Sequence, residues 1–400
     1  MRVLFVAMPN SVHSARWIAQ TAGLGWDVHL FPSTPAGALF ELGGPHPSLR
    51  DVTVWGVSFR RHERLHPSVR VRGLTPLTRF SGVLSSLLQY RAATFLASLI
   101  QRLQPDIVHS LELQHAGYLT LEAKKRLGAF PRWIVTNWGS DISVFGRLNE
   151  HAERIRELLA ECDYYTCECQ RDIDLARTFG FRGEALPVWP IAGGIDVGHA
   201  QAFRQPGPPS KRRVVALKGY TGWAGRALVG VRAVELAADA LRNYRVVTYL
   251  AAEEVRMAAE LVSKSAGVEF EHLPPSSHEE ILRLHGRART SIGLSIGDGI
   301  STSALEAMAA GSFPIQSDTS CLQEWVSEGE TGLLVHPNDP QQVAEALRRA
   351  VTDDELVDRA AVTNLKTVEE GLDMNRIRPA VIEMYRRIAA SPRPTTGPES

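Results

Sequence analysis

The chain has 400 residues, enough for two hydrophobic cores rather than one. Its 44% hydrophobic and 22% charged residues are ordinary for a globular protein. With 44 basic and 44 acidic residues the net charge is zero, which argues against nucleic acid as the main partner, because neutralising phosphates usually leaves a clear basic excess.

The opening MRVLFVAMPNS has an apolar run too short for a signal peptide and is stopped by Pro9; no stretch has the apolar length to span a bilayer. Short β-rich runs then alternate with longer amphipathic ones. RVLFVAM (2–8), WDVHLFP (26–32), VTVWGV (52–57), DIVHSL (106–111), RWIVTNW (132–138) and YYTCEC (164–169) read as strands. Stretches such as SARWIAQTAGLG between them read as helices ending near a glycine, so the pattern is βαβ and the sheet parallel. Three of the four cysteines, Cys162, Cys167 and Cys169, crowd into ECDYYTCECQ and are read as buried side chains rather than metal ligands; with Cys321 they suit a reducing, cytoplasmic setting.

The alternation pauses over PVWPIAGGIDVGHAQAFRQPGPPSKRR (187–213), which is rich in Pro and Gly and reads as an interdomain connection. It restarts with RVVALKG (213–219), RVVTYLA (245–251), VEFEHL (268–273), TSIGLSI (290–296), FPIQSD (313–318) and GLLVHP (332–337). The expected division is a first domain over 1–190, a second over 191–375, a helix over 376–390 packing back on the first domain, and a disordered tail over 391–400. In open parallel sheets ligands bind beyond the carboxyl ends of the strands. Two such sheets facing each other would place the site in a central cleft.

The segment SIGDGISTSALEAMAAGSFPIQSD, Ser295 to Asp318, fits that placement. A strand is expected to end near Ile296, a Gly297–Gly299 loop to turn, and a helix to begin around Thr302. The amides and dipole at that helix start attract an anion, most commonly phosphate, and the hydroxyls of Ser301, Thr302 and Ser303 can cap the first turn. Glu306 then sits about one turn in, with two acceptor oxygens for the hydroxyls of a ribose. Asp298, in the loop, can accept from a second sugar. A plainer alternative stays open on spacing alone, because Ser303 and Glu306 fit a capping box.

Asp298, seven residues and Glu306, followed by LEAMAAGSFPIQSD and EWVSEGETGLLVHPNDPQQVAEAL, closely resemble the C-terminal half of the family 4 glycosyltransferases of the GT-B fold. The opening strand and helix, PDIVHS and GGID resemble the rest of that family's pattern, so the resemblance spans nearly the whole chain. It implies an α/β architecture of two Rossmann-like, doubly wound domains facing a central cleft. It also implies a retaining, metal-independent transferase with no cofactor, moving a sugar from a UDP- or GDP-sugar to a glycan or lipid-linked hydroxyl in polysaccharide or glycolipid synthesis. By the same resemblance, Asp298 meets the transferred sugar, Gly299, Ile300 and Ser301 to Ser303 the phosphates, and Glu306 the ribose. In ALKGYTGWAGRALVG the basic pair over the diphosphate is Lys218 and Arg226, in an order that departs from the family's Arg-then-Lys form.

The first domain departs further. In VTNWGSDI, Trp138 stands where the family often carries a His, while Gly139 and Asp141 remain; His13 and His109 are the alternative polar residues on the acceptor side. Between Glu41 and Arg102 nine arginines face three acids, and SGVLSSLLQYRAATFLASLI is apolar, so residues 50–102 are a candidate peripheral contact with anionic lipid at the inner face of the membrane. Three other readings compete, one of them a nucleotide-sugar epimerase or phosphorylase of the same fold, against which the Asp298–Glu306 pattern argues. GLSIG with Ser295, Asp318 and His336 matches an α/β-hydrolase elbow, although GDGIS intervenes before the helix. The altered NWGSD also suits a degenerate protein that binds a nucleotide-sugar without turning it over.

Overall fold

The computed structural model describes residues 1–33, 45–56, 65–73, 84–190 and 192–391, excluding the side chains of 84–91. The chain divides into two compact units: Met1–Gly193 together with Ile377–Ser400, and Gly194–Arg376. The boundary falls on Gly193 and Gly194, whose φ values of 75° and 90° lie in the left-handed region that glycine adopts without a Cβ clash.

The first unit holds strands β1 (Arg2–Ala7), β2 (Asp27–Pro32), β3 (Thr53–Gly56), β4 (Arg70–Gly73), β5 (Ile107–Leu111), β6 (Arg132–Thr136), β7 (Tyr164–Thr166) and β8 (Glu184–Ala185). They lie in the order β4-β3-β2-β1-β5-β6-β7-β8, every neighbour parallel. Helices cover both faces, which is why β1, β5 and β6 are buried almost without interruption. Strand order reverses between β1 and β5, and a crevice opens beyond the carboxyl ends at such a reversal.

The second unit repeats the plan with β9 (Val214–Lys218), β10 (Arg245–Tyr249), β11 (Glu269–His272), β12 (Thr290–Gly293), β13 (Phe313–Ser317) and β14 (Leu333–Val335). Their order is β11-β10-β9-β12-β13-β14, all parallel, with the reversal between β9 and β12. Both units are thus Rossmann-like and doubly wound. The core of the second packs Val215, Leu217, Val246 and Ile292 against the helices Ala227–Leu236 and Pro340–Thr352.

Three expectations are corrected. β4 and β8 carry too few apolar residues to show in the sequence, being short outer strands paired on a single side. β12 stops at Gly293 instead of Ile296, because the backbone of 294–296 leaves the sheet to pair antiparallel with residues 224–225 (Ile296 N–H to Ala224 O, 3.0 Å). YYTCEC is a strand only to Thr166. Cys162, Cys167 and Cys169 are buried as expected, and burial pushes the Cys162 thiol pKa up.

The candidate lipid contact also changes. The helix Leu84–Leu103 turns Ala93, Leu96, Ala97, Leu99 and Ile100 into the core of the first unit, so these apolar side chains are not offered to a membrane. Arg72 and Arg102 flank the Trp55 ring, at 5.6 and 4.7 Å from its centroid. Arg60, Arg61, Arg64 and Arg79, and the Arg91 side chain, lie outside the described residues. Among the described residues no helix is long and apolar enough to cross a membrane.

Candidate functional site

In the second unit the reversal between β9 and β12 gathers the predicted donor residues. Lys218 is the last residue of β9, and β9 pairs directly with β12. The loop after β9 folds back so that Arg226 N–H donates to Leu294 O at 3.0 Å. That fold needs Gly225, where a Cβ would come within 2.2 Å of the Tyr220 carbonyl oxygen. The Arg226 guanidinium is held by Asn338 Oδ1 at 2.7 Å and by the carbonyls of Trp223 and Gly225. Both cations therefore belong to the end of the sheet that carries the loop after β12.

That loop runs over residues 294–301, with Asp298 half-buried and Gly299 and Ile300 buried. It is tied down by Ser295 N–H to Ser317 Oγ (2.7 Å) and Cys321 N–H to Gly299 O (2.9 Å). The helix Thr302–Ala309 follows, as expected. Its N-cap is Ser301, whose hydroxyl makes no capping bond and lies 3.0 Å from Ser303 Oγ. Ser303 is inside the helix and hydrogen-bonded to Tyr249, a fully buried phenol. The Ser303–Glu306 capping box is therefore not formed, since Glu306 lies beyond the first turn counted from Ser301. Glu306 is 6% exposed, and His278 Nε2–H donates to its Oε1 at 2.7 Å.

Ser295 does not form a hydrolase elbow. It lies outside β12, residues 296–301 separate it from the next helix, and its hydroxyl donates to Gly297 O at 3.0 Å. His336 Nδ1 accepts from Asn338 N–H.

In the first unit the acceptor-side candidates separate. His13, half-buried on the helix Val12–Ala19 after β1, meets the half-buried Trp138 after β6 edge to face, with ring centroids 5.8 Å apart. Gly139 caps the short helix Ser140–Ser143. Asp141 is 5% exposed and its Oδ2 accepts from the amides of Leu113 and Trp138, both at 2.9 Å, so it ties two loops together. Burial and the neighbouring Glu112 charge push the Asp141 pKa well above the usual carboxylate range, against the lowering effect of those amides. His109 is a correction. It sits within β5, fully buried, with Nδ1 2.6 Å from Tyr385 Oη and Nε2 2.7 Å from Thr136 Oγ1. Burial lowers its pKa to about 3, so it is a neutral core residue.

Sequence reasoning missed two pairs. Glu112, after β5, has φ 91° and ψ 157°, a region that is essentially glycine's, and it opens a π-helical turn, Leu113–Gly117. Its carboxylate accepts from the amides of His115 and Ala116 and from His115 Nδ1 at 3.2 Å. That hydrogen bond raises the His115 pKa, and the ring remains more than half exposed. Nothing in the letters LELQHAG signals the backbone outlier. The second pair, His278 with Glu306, had a signal: Ser277 and Glu280 are spaced as a capping box, which puts His278 at the first helical position after β11.

Comparison with known proteins bears on the family and the fold. Residues 251–364 match the model for glycosyl transferases group 1, and residues 57–167 match the glycosyl transferase 4-like model. A D-inositol 3-phosphate glycosyltransferase from a Nocardioides species is 32% identical over 140 residues, covering 34% of this chain and 30% of that protein. An alpha-maltose-1-phosphate synthase from Mycolicibacterium smegmatis is 30% identical over 148 residues, covering 35% of this chain and 38% of that protein. The match thus spans only about a third of the length of these curated relatives. Among solved structures, sucrose-phosphate synthase from Thermosynechococcus elongatus superposes with a TM-score of 0.70 at 17% identity, covering 98% of this chain and all of that one. Anabaena HepE in complex with UDP and glucose gives 0.67 at 16% identity, covering 97% of this chain and 100% of that one.

Proposed function

The chain belongs to the family 4 glycosyltransferases of the GT-B fold, and from that membership we propose that it moves a sugar from a nucleotide-diphosphate sugar to a hydroxyl acceptor with retention of anomeric configuration. The observation that carries the reading is Glu306, a buried carboxylate just past the start of a helix whose N-cap is Ser301, with Ser301 Oγ 3.0 Å from Ser303 Oγ. An anion suits the helix start, and a diol suits the carboxylate. The fold relative HepE is described with UDP and glucose, which supports a nucleotide diphosphate as the donor's leaving group.

In this mechanism the bond from the anomeric carbon to the phosphate oxygen breaks and its electron pair stays on the phosphate. Lys218 and Arg226 stabilise that growing charge. The acceptor oxygen bonds to the same face of the anomeric carbon, and its proton passes to the departing phosphate oxygen. Asp298 orients the transferred sugar through its hydroxyls. Ser301 to Ser303 hold the phosphates, beside the buried backbone of Gly299 and Ile300. Acceptor recognition is assigned to His13 and Trp138 on the first unit, with a glycan or lipid-linked hydroxyl as the acceptor and cell-envelope synthesis as the setting. No metal or cofactor has a role in these steps.

A panel of UDP-, GDP- and ADP-sugars screened by thermal shift tests the donor, since a ligand that binds only the native state raises the melting temperature. Stabilisation by one nucleotide series, followed by product formation with a glycan acceptor, is expected. Stabilisation without turnover on any acceptor would favour the degenerate binding protein, for which Trp138 in place of the family's histidine argues. No stabilisation by any of them would overturn the reading.

A further inference from the structure

Glu306 is held from outside its own helix. The helix His278–Arg287 starts at Ser277 with a reciprocal cap: Ser277 N–H donates to Glu280 Oε2 at 2.6 Å, and Glu280 N–H donates to Ser277 Oγ at 3.3 Å. The cap fixes the backbone of the first helical residue, His278. From that residue Nε2–H reaches Glu306 Oε1 at 2.7 Å. The two side chains differ in surroundings, His278 being 43% exposed and Glu306 only 7%. Two turns along the same helix His285 is fully buried, with Nδ1 3.0 Å from Ser291 Oγ and its ring edge-on to Tyr249 at 5.4 Å. Tyr249 in turn bonds Ser303. One helix therefore supports the donor-facing helix directly at Glu306 and, through Tyr249, at Ser303.

We propose that His278 is the positioning residue for the donor's ribose: it fixes Glu306 through Oε1, so that the carboxylate is already oriented when a ribose diol arrives. This rests on the donor reading above and adds the group that prepares its carboxylate. A glutamate side chain has three rotatable bonds, and a ligand that must freeze it loses affinity. His278 freezes it beforehand, which is the physical content of preorganisation. The two oxygens of a carboxylate offer about four lone-pair directions, and the His278 bond takes one of them. His278 acts through Glu306 and has no step in the chemistry.

The role predicts a dependence on the ribose hydroxyls that a merely structural histidine would lack. Dissociation constants of UDP, GDP and ADP, and of the 2′,3′-dideoxy form of whichever binds, are measured on the full chain and on His278→Ala, Glu306→Ala and the double variant. His278→Ala should weaken the ribonucleotide about three- to tenfold, the cost of immobilising one flexible side chain. It should leave the dideoxy nucleotide unchanged, and the double variant should be no weaker than Glu306→Ala, since the two residues act as one unit. His278→Gln, which keeps an N–H donor, should recover part of the loss. An unchanged melting temperature in His278→Ala separates these effects from unfolding. Equal losses for ribo- and dideoxy nucleotides, no loss at all, or additive effects in the double variant would overturn the proposal and leave the donor reading standing. A wild-type chain that binds none of the three diphosphates, or binds ribo and dideoxy forms alike, would instead overturn the donor reading, and this inference with it.

Discussion

Tyr385 Oη lies 2.6 Å from His109 Nδ1 and accepts from Trp17 Nε1–H at 3.0 Å. One phenol on the helix Met374–Ala390 thereby joins the helix after β1 to the middle of β5. The chain of donors is consistent throughout: indole to phenol, phenol to Nδ1, and Nε2–H to Thr136. Tyr385→Phe removes the hydroxyl and leaves two buried polar atoms without it. At about 1–3 kcal/mol for each buried group deprived of its partner, the first unit should lose about 3 kcal/mol. The urea transition followed by tryptophan fluorescence measures this, and a change below about 0.5 kcal/mol would contradict the network.

Acid should destabilise the protein through two histidines. Burial lowers His109 to about 3 and His285 to about 4, from an ordinary value of 6.5. Because the folded-state pKa is depressed, the unfolded chain takes up the protons first. The stabilisation is complete above pH 6.5 and is lost as pH falls towards those lower values. Each group adds a slope of at most about 1.4 kcal/mol per pH unit within its window. Urea midpoints between pH 7 and 5 should show it, and His109→Asn should flatten the slope. A wild-type midpoint that does not move over that range would sink the prediction.

Glu306→Ala should raise the donor dissociation constant about 10- to 100-fold with the fold intact, the range for losing hydrogen bonds to a charged acceptor. Lys218→Ala should act differently, lowering kcat more than donor affinity, because its charge matters most as the phosphate departs. Calorimetric titration with the nucleotide and steady-state rates with the full donor distinguish the two patterns. Unaltered donor binding in Glu306→Ala would remove its assigned role.

His115 should titrate above an ordinary histidine because the Glu112 carboxylate stabilises its imidazolium. The sign is opposite to that of His109: a raised folded-state pKa contributes stability below pH 6.5 and loses it as pH rises through the folded value. Nuclear magnetic resonance of the imidazole protons should show the titration fall towards 6.5 in Glu112→Gln. An unshifted titration in that variant would show that the contact carries no charge stabilisation.

The alternation of strands and helices was legible because apolar runs such as Val3–Ala7 and Val214–Leu217 are set by burial on both faces of a sheet. The start of the helix at Thr302 was legible too, from the hydroxyls that precede it. What was not legible depends on tertiary partners. His109, in a run read as a strand, was still counted among the acceptor-side residues; β5 buries it beneath Tyr385, more than 270 positions away. β12 ended early because the loop after β9 offered its backbone a better partner. The two amides that bond Asp141 Oδ2, one from a turn nearly thirty residues earlier, were not legible either. Glu112 adopts a conformation its side chain disfavours, held by three N–H groups that are invisible to pattern.

The return of residues from Ile377 onward to the first unit sets an order of events on the ribosome. Everything in Gly194–Arg376 is synthesised before the helix that bears Tyr385 is complete. At ordinary elongation rates that delay is on the order of ten seconds or more. Throughout it the amino-terminal sheet is exposed on the side where Phe5 and Trp17 await their last neighbour. A nascent chain stalled within the second unit should therefore bind chaperones through its oldest segment, and release from the ribosome should end that association.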